Sequence, residues 1–159
     1  MRRTLLVTND FPPVVGGIQS YLDDYTRRLP ADDLTVLAST PPEGPGAAAA
    51  HDAALAFDVV RMPTRMLLPT PDVRARMQRI IRERAIETVW FGAAAPLGLL
   101  GRAARAAGAS RVIVSTHGHE VGWSMIPGAR LALRRIFREA DVVRLWRSEE
   151  RRVGKECRS

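Results

Sequence analysis

The amino-acid sequence predicts an α/β fold built around a doubly wound parallel sheet. Six short apolar runs, each about as long as a strand, alternate along the chain with segments of helical spacing. The first run, TLLVT at residues 4–8, is rich in β-formers and typical of a parallel strand buried on both faces. The chain has 159 residues, 46% of them hydrophobic, and therefore suits one domain with its own core.

In the first half of the chain, three strands are predicted, with one helix between the first two. The strands are residues 4–8, 34–38 and 57–62, and the helix is residues 18–29. The apolar residues of that helix share one face, and Pro30 ends it. Residues 39–56 are rich in Pro, Gly and Ala and are predicted to form a mobile loop, with His51 as a solvent-facing residue.

In the second half, the same alternation predicts three more strands and three more helices. The strands are residues 88–91, residues 111–115 and a run that begins at Asp141; the helices are residues 72–85 and segments that begin at Pro96 and Pro127. Thr70 and Pro71 are residue types preferred at the N-cap and at the first position of a helix. Helix 72–85 is expected to carry arginines outside and to bury four apolar residues, Val73, Met77, Ile80 and Ile81.

Two glycines, Gly16 and Gly17, lie between the first strand and the first helix. Glycine lets backbone N–H groups approach an anion closely, and the helix dipole adds favourable potential, so this turn could hold a phosphate. The sequence has neither a G-x-G-x-x-G motif nor a Walker lysine. A tight strand-to-helix turn without a ligand is the equally weighted alternative.

Three stretches are expected at the carboxyl edge of the sheet, where ligands of such folds bind: residues 9–17, 92–95 and 116–120. The last contains His117 and His119 in an H-x-H pattern. No supporting spacing supplies further metal ligands, and no G-x-S-x-G motif supports a nucleophilic serine. We therefore expect no metal, and a histidine that hydrogen-bonds to a hydroxyl- or phosphate-bearing ligand.

The formal net charge of +7 favours anionic partners, namely nucleic acid, phosphorylated substrates or an anionic membrane surface. Arg74, Arg76 and Arg79 of helix 72–85 follow an apolar Met-Leu-Leu segment and are candidates for contact with anionic lipid. An ordinary solvated helix face is the alternative. Nucleic acid is not expected, since the chain has no aromatic stacking platform and no known reader motif.

Cysteine usage and the carboxyl-terminal residues bear on the compartment and on the domain boundary. A single cysteine, Cys157, excludes a disulfide framework and favours the cytoplasm. No signal peptide and no apolar stretch long enough to span a bilayer are visible. Residues 144–159 lack periodicity and are expected to be a non-native tail, so the domain is predicted to span residues 1–143.

Two long stretches carry a resemblance to a known family. TLLVTNDFPPVVGGIQSYLDDYTRRL at residues 4–29 and VSTHGHEVGWSMIPGARLALRRI at residues 114–136 resemble the family 4 retaining glycosyltransferases of the GT-B fold. Within that family, the chain looks most similar to actinobacterial enzymes that add the second mannose to phosphatidyl-myo-inositol. Such enzymes have two Rossmann-like domains, and the resemblance covers the amino-terminal, acceptor-side one.

The resemblance also implies roles for individual residues and partners. Gly16 and Gly17 would bind the diphosphate of a sugar nucleotide, here GDP-mannose, and His117 would be the catalytic histidine that contacts the transferred sugar. Asn9, Asp10 and His119 would lie on the side of a glycolipid acceptor. No cofactor and no metal are implied, and the enzyme would be peripheral at the inner face of the plasma membrane.

The resemblance further implies that a carboxyl-terminal, donor-binding domain is missing and that the chain alone is inactive. Two alternatives stay open on the sequence. One is another family 4 transferase with a different sugar nucleotide and a soluble acceptor. The other is a non-catalytic Rossmann-like module that binds a nucleotide or a partner.

Overall fold

A computed structural model describes residues 2–117 and 127–145 of the chain. The strands are β1 (Thr4–Thr8), β2 (Leu34–Ser39), β3 (Asp58–Met62), β4 (Thr88–Phe91), β5 (Arg111–Thr116) and β6 (Val142–Leu145). The helices are α1 (Gly17–Arg27), α2 (Pro45–Asp52), α3 (Pro71–Glu83), α4 (Gly101–Ala106) and α5 (Pro127–Glu139). All strands are parallel and form one sheet in the order β3-β2-β1-β4-β5-β6. The predicted doubly wound parallel sheet is therefore confirmed.

The chain starts in the middle of the sheet and winds outwards in both directions. From β1 it proceeds to β2 and β3 on one side, and it then crosses to β4, β5 and β6 on the other. Leu6 of β1 lies opposite Val36 of β2 and Trp90 of β4. The direction of winding therefore reverses between β1 and β4, and ligands of doubly wound sheets bind beyond the carboxyl ends of the strands at this point.

Two hydrophobic cores lie on opposite faces of the sheet. Alternate residues of β1 point to opposite faces, so Leu5 and Val7 join one core and Leu6 joins the other. The larger core packs β-strand residues against α3, α4 and α5, and the smaller one packs the sheet against α1. This two-sided burial explains why the central strands are apolar at nearly every position.

Local signals place α3 as the sequence predicts. The Thr70 hydroxyl accepts a hydrogen bond from the backbone N–H of Val73, and Pro71 occupies the first turn. The four residues expected to be buried, Val73, Met77, Ile80 and Ile81, are all buried. The prediction for this helix is confirmed in its cap, its apolar face and, within two residues, its ends.

The prediction of a mobile loop over residues 39–56 is wrong, because α2 lies within it. Pro45 takes the first helical position, and four alanines with high helix propensity follow it. His51 is not the solvent-facing residue that we expected. Its side chain is 18% exposed, its Nδ1 lies 3.3 Å from the Asp52 carboxylate, and its ring contacts Phe11 edge-on.

The region after β4 differs from the prediction in smaller ways. The helix expected from Pro96 is divided into a 3₁₀ turn, Leu97–Leu100, and the short helix α4. Two apolar residues of α5, Leu131 and Phe137, are exposed. β6 continues to Leu145, past the boundary expected at residue 143, and residues 146–159 of the predicted tail lie outside the described residues.

Candidate functional site

Asn9 directly follows β1 and pairs with the backbone of Leu67, 58 residues later in the chain. The Asn9 side-chain amide donates to the Leu67 carbonyl at 3.1 Å, and the Leu67 N–H donates to Asn9 Oδ1 at 2.5 Å. A primary amide that donates to and accepts from one residue mimics a backbone pair. Asn9 thereby fixes the segment before α3 to the end of β1, and the acceptor-side role predicted for it stays a prediction.

Asp10 lies between the end of β1 and the first turn of α1. Its backbone N–H donates to the Thr8 hydroxyl at 3.0 Å, and its carboxylate accepts a hydrogen bond from the Gln19 side chain at 3.1 Å. The contact with Gln19 holds the carboxylate next to the beginning of α1. Asp10 is thus positioned at the carboxyl edge of the sheet, as predicted, although no contact tests its role.

Gly16 and Gly17 form the amino terminus of α1. Gly16 is the N-cap residue, its backbone is extended, and its carbonyl accepts the first helical hydrogen bond, from Ser20 at 2.9 Å. No side chain caps this turn and no acidic residue lies in it. The N–H groups that open a helix have no partner within it, and with the helix dipole they favour an anion.

His117 links the ends of β5 and β4. Its Nε2 lies 2.5 Å from the carbonyl oxygen of Gly92, the residue that follows β4. A Cβ added at Gly92 would lie 2.7 Å from the Thr8 hydroxyl, so glycine is needed where the chain passes close to the end of β1. The ends of β1, β4 and β5 therefore meet at one place, beside which α1 begins. His119 lies outside the described residues.

Arg61, near the end of β3, is a residue that the sequence analysis missed. Its guanidinium forms two hydrogen bonds with the Asp52 carboxylate, at 2.8 and 3.0 Å, and donates to the carbonyls of Ser39 and Pro12. It also lies over the ring of Phe11, with its central carbon 5.5 Å from the ring centroid. Arg61 thus connects α2, the end of β2 and the loop before α1 through hydrogen bonds of one side chain. An arginine after the apolar Val59 and Val60 in a strand, DVVRM, is the one sequence signal that could have indicated it.

The arginines predicted to contact lipid lie on α3 and are at least partly exposed. Arg74 and Arg79 are exposed and Arg76 is half-buried. Across residues 2–117 and 127–145, no group of three or more His, Cys, Asp or Glu side chains could hold a metal ion. The helices in the same two ranges are all too short or too polar to cross a membrane.

The carboxyl group of Asp141 has a shifted pKa and lies away from this edge. The backbone N–H of Val112, together with Arg105, holds the pKa of Asp141 below its usual range. Asp141 precedes β6, and Val112 lies near the start of β5, so this pair is at the amino edge of the sheet. It belongs to the fold and not to the candidate site.

Comparison with known proteins gives one family and several similar sequences. The family description that matches is Glycosyltransferase Family 4, over residues 15–144. One similar protein is a GDP-mannose-dependent monoacylated alpha-(1-6)-phosphatidylinositol monomannoside mannosyltransferase of Corynebacterium glutamicum. It is 54% identical over 142 residues, which are 89% of the chain and 37% of that relative. GDP-mannose-dependent alpha-(1-6)-phosphatidylinositol monomannoside mannosyltransferases of Mycobacterium tuberculosis and Mycolicibacterium smegmatis are each 58% identical, over 90% and 87% of the chain. The chain spans a little over a third of the length of these relatives.

Proposed function

The chain belongs to Glycosyltransferase Family 4, and from this we propose that it is the acceptor-side domain of a retaining mannosyltransferase. The proposed reaction moves mannose from GDP-mannose to a phosphatidylinositol mannoside. Three relatives at 54–58% identity, whose names specify this donor and acceptor, support the proposal. They favour it over another sugar nucleotide with a soluble acceptor. The family and the Rossmann-like half of the GT-B fold, both predicted from the sequence, are confirmed.

The observation that carries the proposal is the uncapped start of α1 at the switch point of the sheet. Transfer of mannose breaks the bond between its anomeric carbon and the β-phosphate oxygen, so negative charge develops on the leaving diphosphate. Preorganised N–H groups and a helix dipole stabilise such charge without reorganisation. We therefore assign diphosphate binding to the N–H groups at Gly16 and Gly17.

His117 is proposed to contact the transferred mannose. The contact of Nε2 with the Gly92 carbonyl fixes the imidazole at the end of β5, close to the point where β1 and β4 end. A carbonyl can only accept, so Nε2 carries the proton in this arrangement. In this proposal, the ring or the backbone carbonyl of His117 stabilises the positive charge of an oxocarbenium-like transition state.

The remaining roles concern the acceptor and the membrane. Asn9, Asp10 and His119 are assigned to the acceptor side, and Arg74, Arg76 and Arg79 to an anionic membrane surface at the cytoplasmic face. The exposed positions of Arg74 and Arg79 on α3 support the latter assignment. The proposed mechanism uses no metal, because the helix terminus and basic side chains would meet the charge of the diphosphate.

Calorimetric titration of the 159-residue chain with GDP tests the diphosphate site. Gly17→Pro removes one N–H donor at a position where proline is compatible with the helix, and the extended backbone of Gly16 suits a following proline. We expect about tenfold weaker GDP binding, since a hydrogen bond to a charged group contributes about 1.5–3 kcal/mol. Gly17→Ala keeps the N–H and is the matched control.

Guanosine, which lacks phosphates, completes the experiment. The proposal requires that GDP binds more tightly than guanosine and that amide signals of residues 16–19 shift in nuclear magnetic resonance spectra. Equal affinity for GDP and guanosine, or equal GDP affinity of Gly17→Pro and Gly17→Ala, would contradict the assignment.

A further inference from the structure

A cleft of about 500 Å³ lies on the helical face of the domain, between α3, α4 and α5. Three arginines line it, one from each helix: Arg74, Arg102 and Arg135. Apolar residues of α4 and of the turn before it, together with Pro69, form the rest of the lining. We call this feature the arginine cleft. It is separate from the switch point, because none of the residues at the ends of β1, β4 and β5 lines it.

Contacts between the helices hold the walls of the arginine cleft in place. The Gln78 side chain of α3 donates to the Ala103 carbonyl of α4 at 2.9 Å. Arg105 of α4 donates to the Glu139 carbonyl of α5 at 3.1 Å. Gly98 packs so closely on α5 that an added Cβ would lie 2.6 Å from Ile136. The three arginines therefore project from a preformed surface and not from a loose loop.

The three arginines have no counter-charge within the described part of the chain. No side-chain hydrogen bond and no ion pair involves Arg74, Arg102 or Arg135 among residues 2–117 and 127–145. Among the described residues, five other arginines are paired with carboxylates: Arg27, Arg28, Arg61, Arg84 and Arg105. Three like charges around one concavity repel each other, so a bound anion would be stabilised there by all of them.

Exposed apolar side chains lie on segments next to the cleft. Six large hydrophobic residues are exposed among the described residues, and four of them lie on segments that border the cleft. Met66 and Leu68 lie within the three residues before Pro69, and Leu131 and Phe137 lie on α5 with Arg135. Exposed apolar side chains next to unpaired arginines match the boundary between phosphate headgroups and acyl chains.

We propose that the arginine cleft binds the phosphodiester headgroup of an anionic membrane lipid. This inference rests on the proposed membrane-bound transferase and extends it from one helix to a site shared by three. Guanidinium groups recognise phosphate oxygens through paired hydrogen bonds, which a diffuse lysine patch does not provide. The headgroup bound here is distinct from the acceptor, whose proposed site is at the carboxyl edge of the sheet.

Vesicle co-sedimentation of the 159-residue chain tests the site. The vesicles are phosphatidylcholine alone and phosphatidylcholine mixed with phosphatidylinositol. Arg102→Gln and Arg135→Gln each remove one arginine that is not on α3, and both positions are exposed, so the fold should be retained. We expect about fivefold weaker binding to the anionic vesicles for each variant, from about 1 kcal/mol per arginine near a membrane surface.

The matched control is Arg82→Gln, which removes an exposed α3 arginine that does not line the cleft. The proposal requires that this variant binds the anionic vesicles as the unchanged chain does. Equal loss in all three variants would indicate diffuse attraction and overturn the site. Normal binding by Arg102→Gln and Arg135→Gln would overturn it as well, and would leave lipid contact to α3 alone.

Two further arms separate the lipid from other ligands and from the proposed function. If inorganic phosphate at concentrations near those of the lipid displaces the chain from vesicles, the cleft is a site for free phosphate and the headgroup assignment fails. GDP titration of Arg102→Gln reports on the switch point independently. Unchanged GDP affinity together with weakened vesicle binding is the expected result, whereas a loss of both would show that the two sites are not separate.

Discussion

Replacement of Arg61 by methionine should strongly destabilise the domain. The Arg61 side chain is 13% exposed and that of Asp52 is 16% exposed, so the pair is mostly shielded from water. Methionine fills a similar volume but leaves the Asp52 carboxylate and the carbonyls of Ser39 and Pro12 without the guanidinium. Removal of one partner of a buried ion pair costs about 3–5 kcal/mol, and the remaining exposure favours the lower end. We expect the free energy of unfolding to fall by about 3 kcal/mol.

A second arginine–aspartate pair, between Arg84 after α3 and Asp58 of β3, provides the control. Arg84 lies 2.6 Å from Asp58, but the two side chains are 37% and 70% exposed. Exposed pairs contribute about 0–1 kcal/mol, and the Arg84 guanidinium also donates to the Thr35 hydroxyl at 3.1 Å, so Arg84→Met should lower the free energy of unfolding by about 1–2 kcal/mol, less than Arg61→Met does. Urea unfolding followed by circular dichroism measures both variants under the same conditions.

The double variant Asp52→Leu/Arg61→Met separates the ion pair from loss of packing. It removes the carboxylate that Arg61→Met leaves uncompensated, so we expect it to be about 1–2 kcal/mol more stable than Arg61→Met alone. If Arg61→Met costs no more than Arg84→Met, or if the double variant is the less stable one, the reasoning from burial is refuted.

Three other substitutions test single contacts by urea unfolding. Gly92→Ala places a Cβ 2.7 Å from the Thr8 hydroxyl and should lower the free energy of unfolding by about 1–3 kcal/mol through overpacking. An unchanged free energy of unfolding would mean that the ends of β1 and β4 separate easily. Thr70→Ala removes the cap of α3 and should cost about 1 kcal/mol, and Thr70→Ser should restore most of it. Asp141→Asn should lower stability at pH 7, because the folded-state pKa of Asp141 is lowered by the Val112 N–H and by Arg105. That contribution is present above the unfolded-state pKa of about 3.9 and is lost as the pH falls through the folded-state pKa, so the variant and the unchanged chain should converge in acid.

Sequence patterns predict the parts of this fold that local interactions determine. The apolar runs of β1 and β4 coincide with the observed strands, because a strand that is buried on both faces needs apolar residues at consecutive positions. The start of α3 follows from Thr70 and Pro71, whose capping effects act within one turn. The glycine pair before α1 could be placed at a helix terminus for the same reason.

Contacts between distant residues were not predictable in this way. α2 has only one buried residue, Ala48, and so lacks the apolar stripe by which helices are recognised. Its last residue, Asp52, is fixed by Arg61 on another element. The arginine cleft likewise joins three helices, and the arginine pattern of α3 alone indicated only one of its walls.

The pairing of Asn9 with Leu67 connects the two parts of the proposed function. Asn9 leaves the sheet beside the switch point, whereas Leu67 is buried between Met66 and Leu68, two of the exposed apolar residues near the arginine cleft. Both hydrogen bonds are made by one amide, so a shift of the segment around Leu67 strains the end of β1 directly. Lipid contact at Met66 and Leu68 would therefore alter the position of Asn9 at the edge where the acceptor is proposed to bind. In the proposed arrangement, the Asn9 side chain thus couples the segment that would contact lipid to the edge where the acceptor would bind.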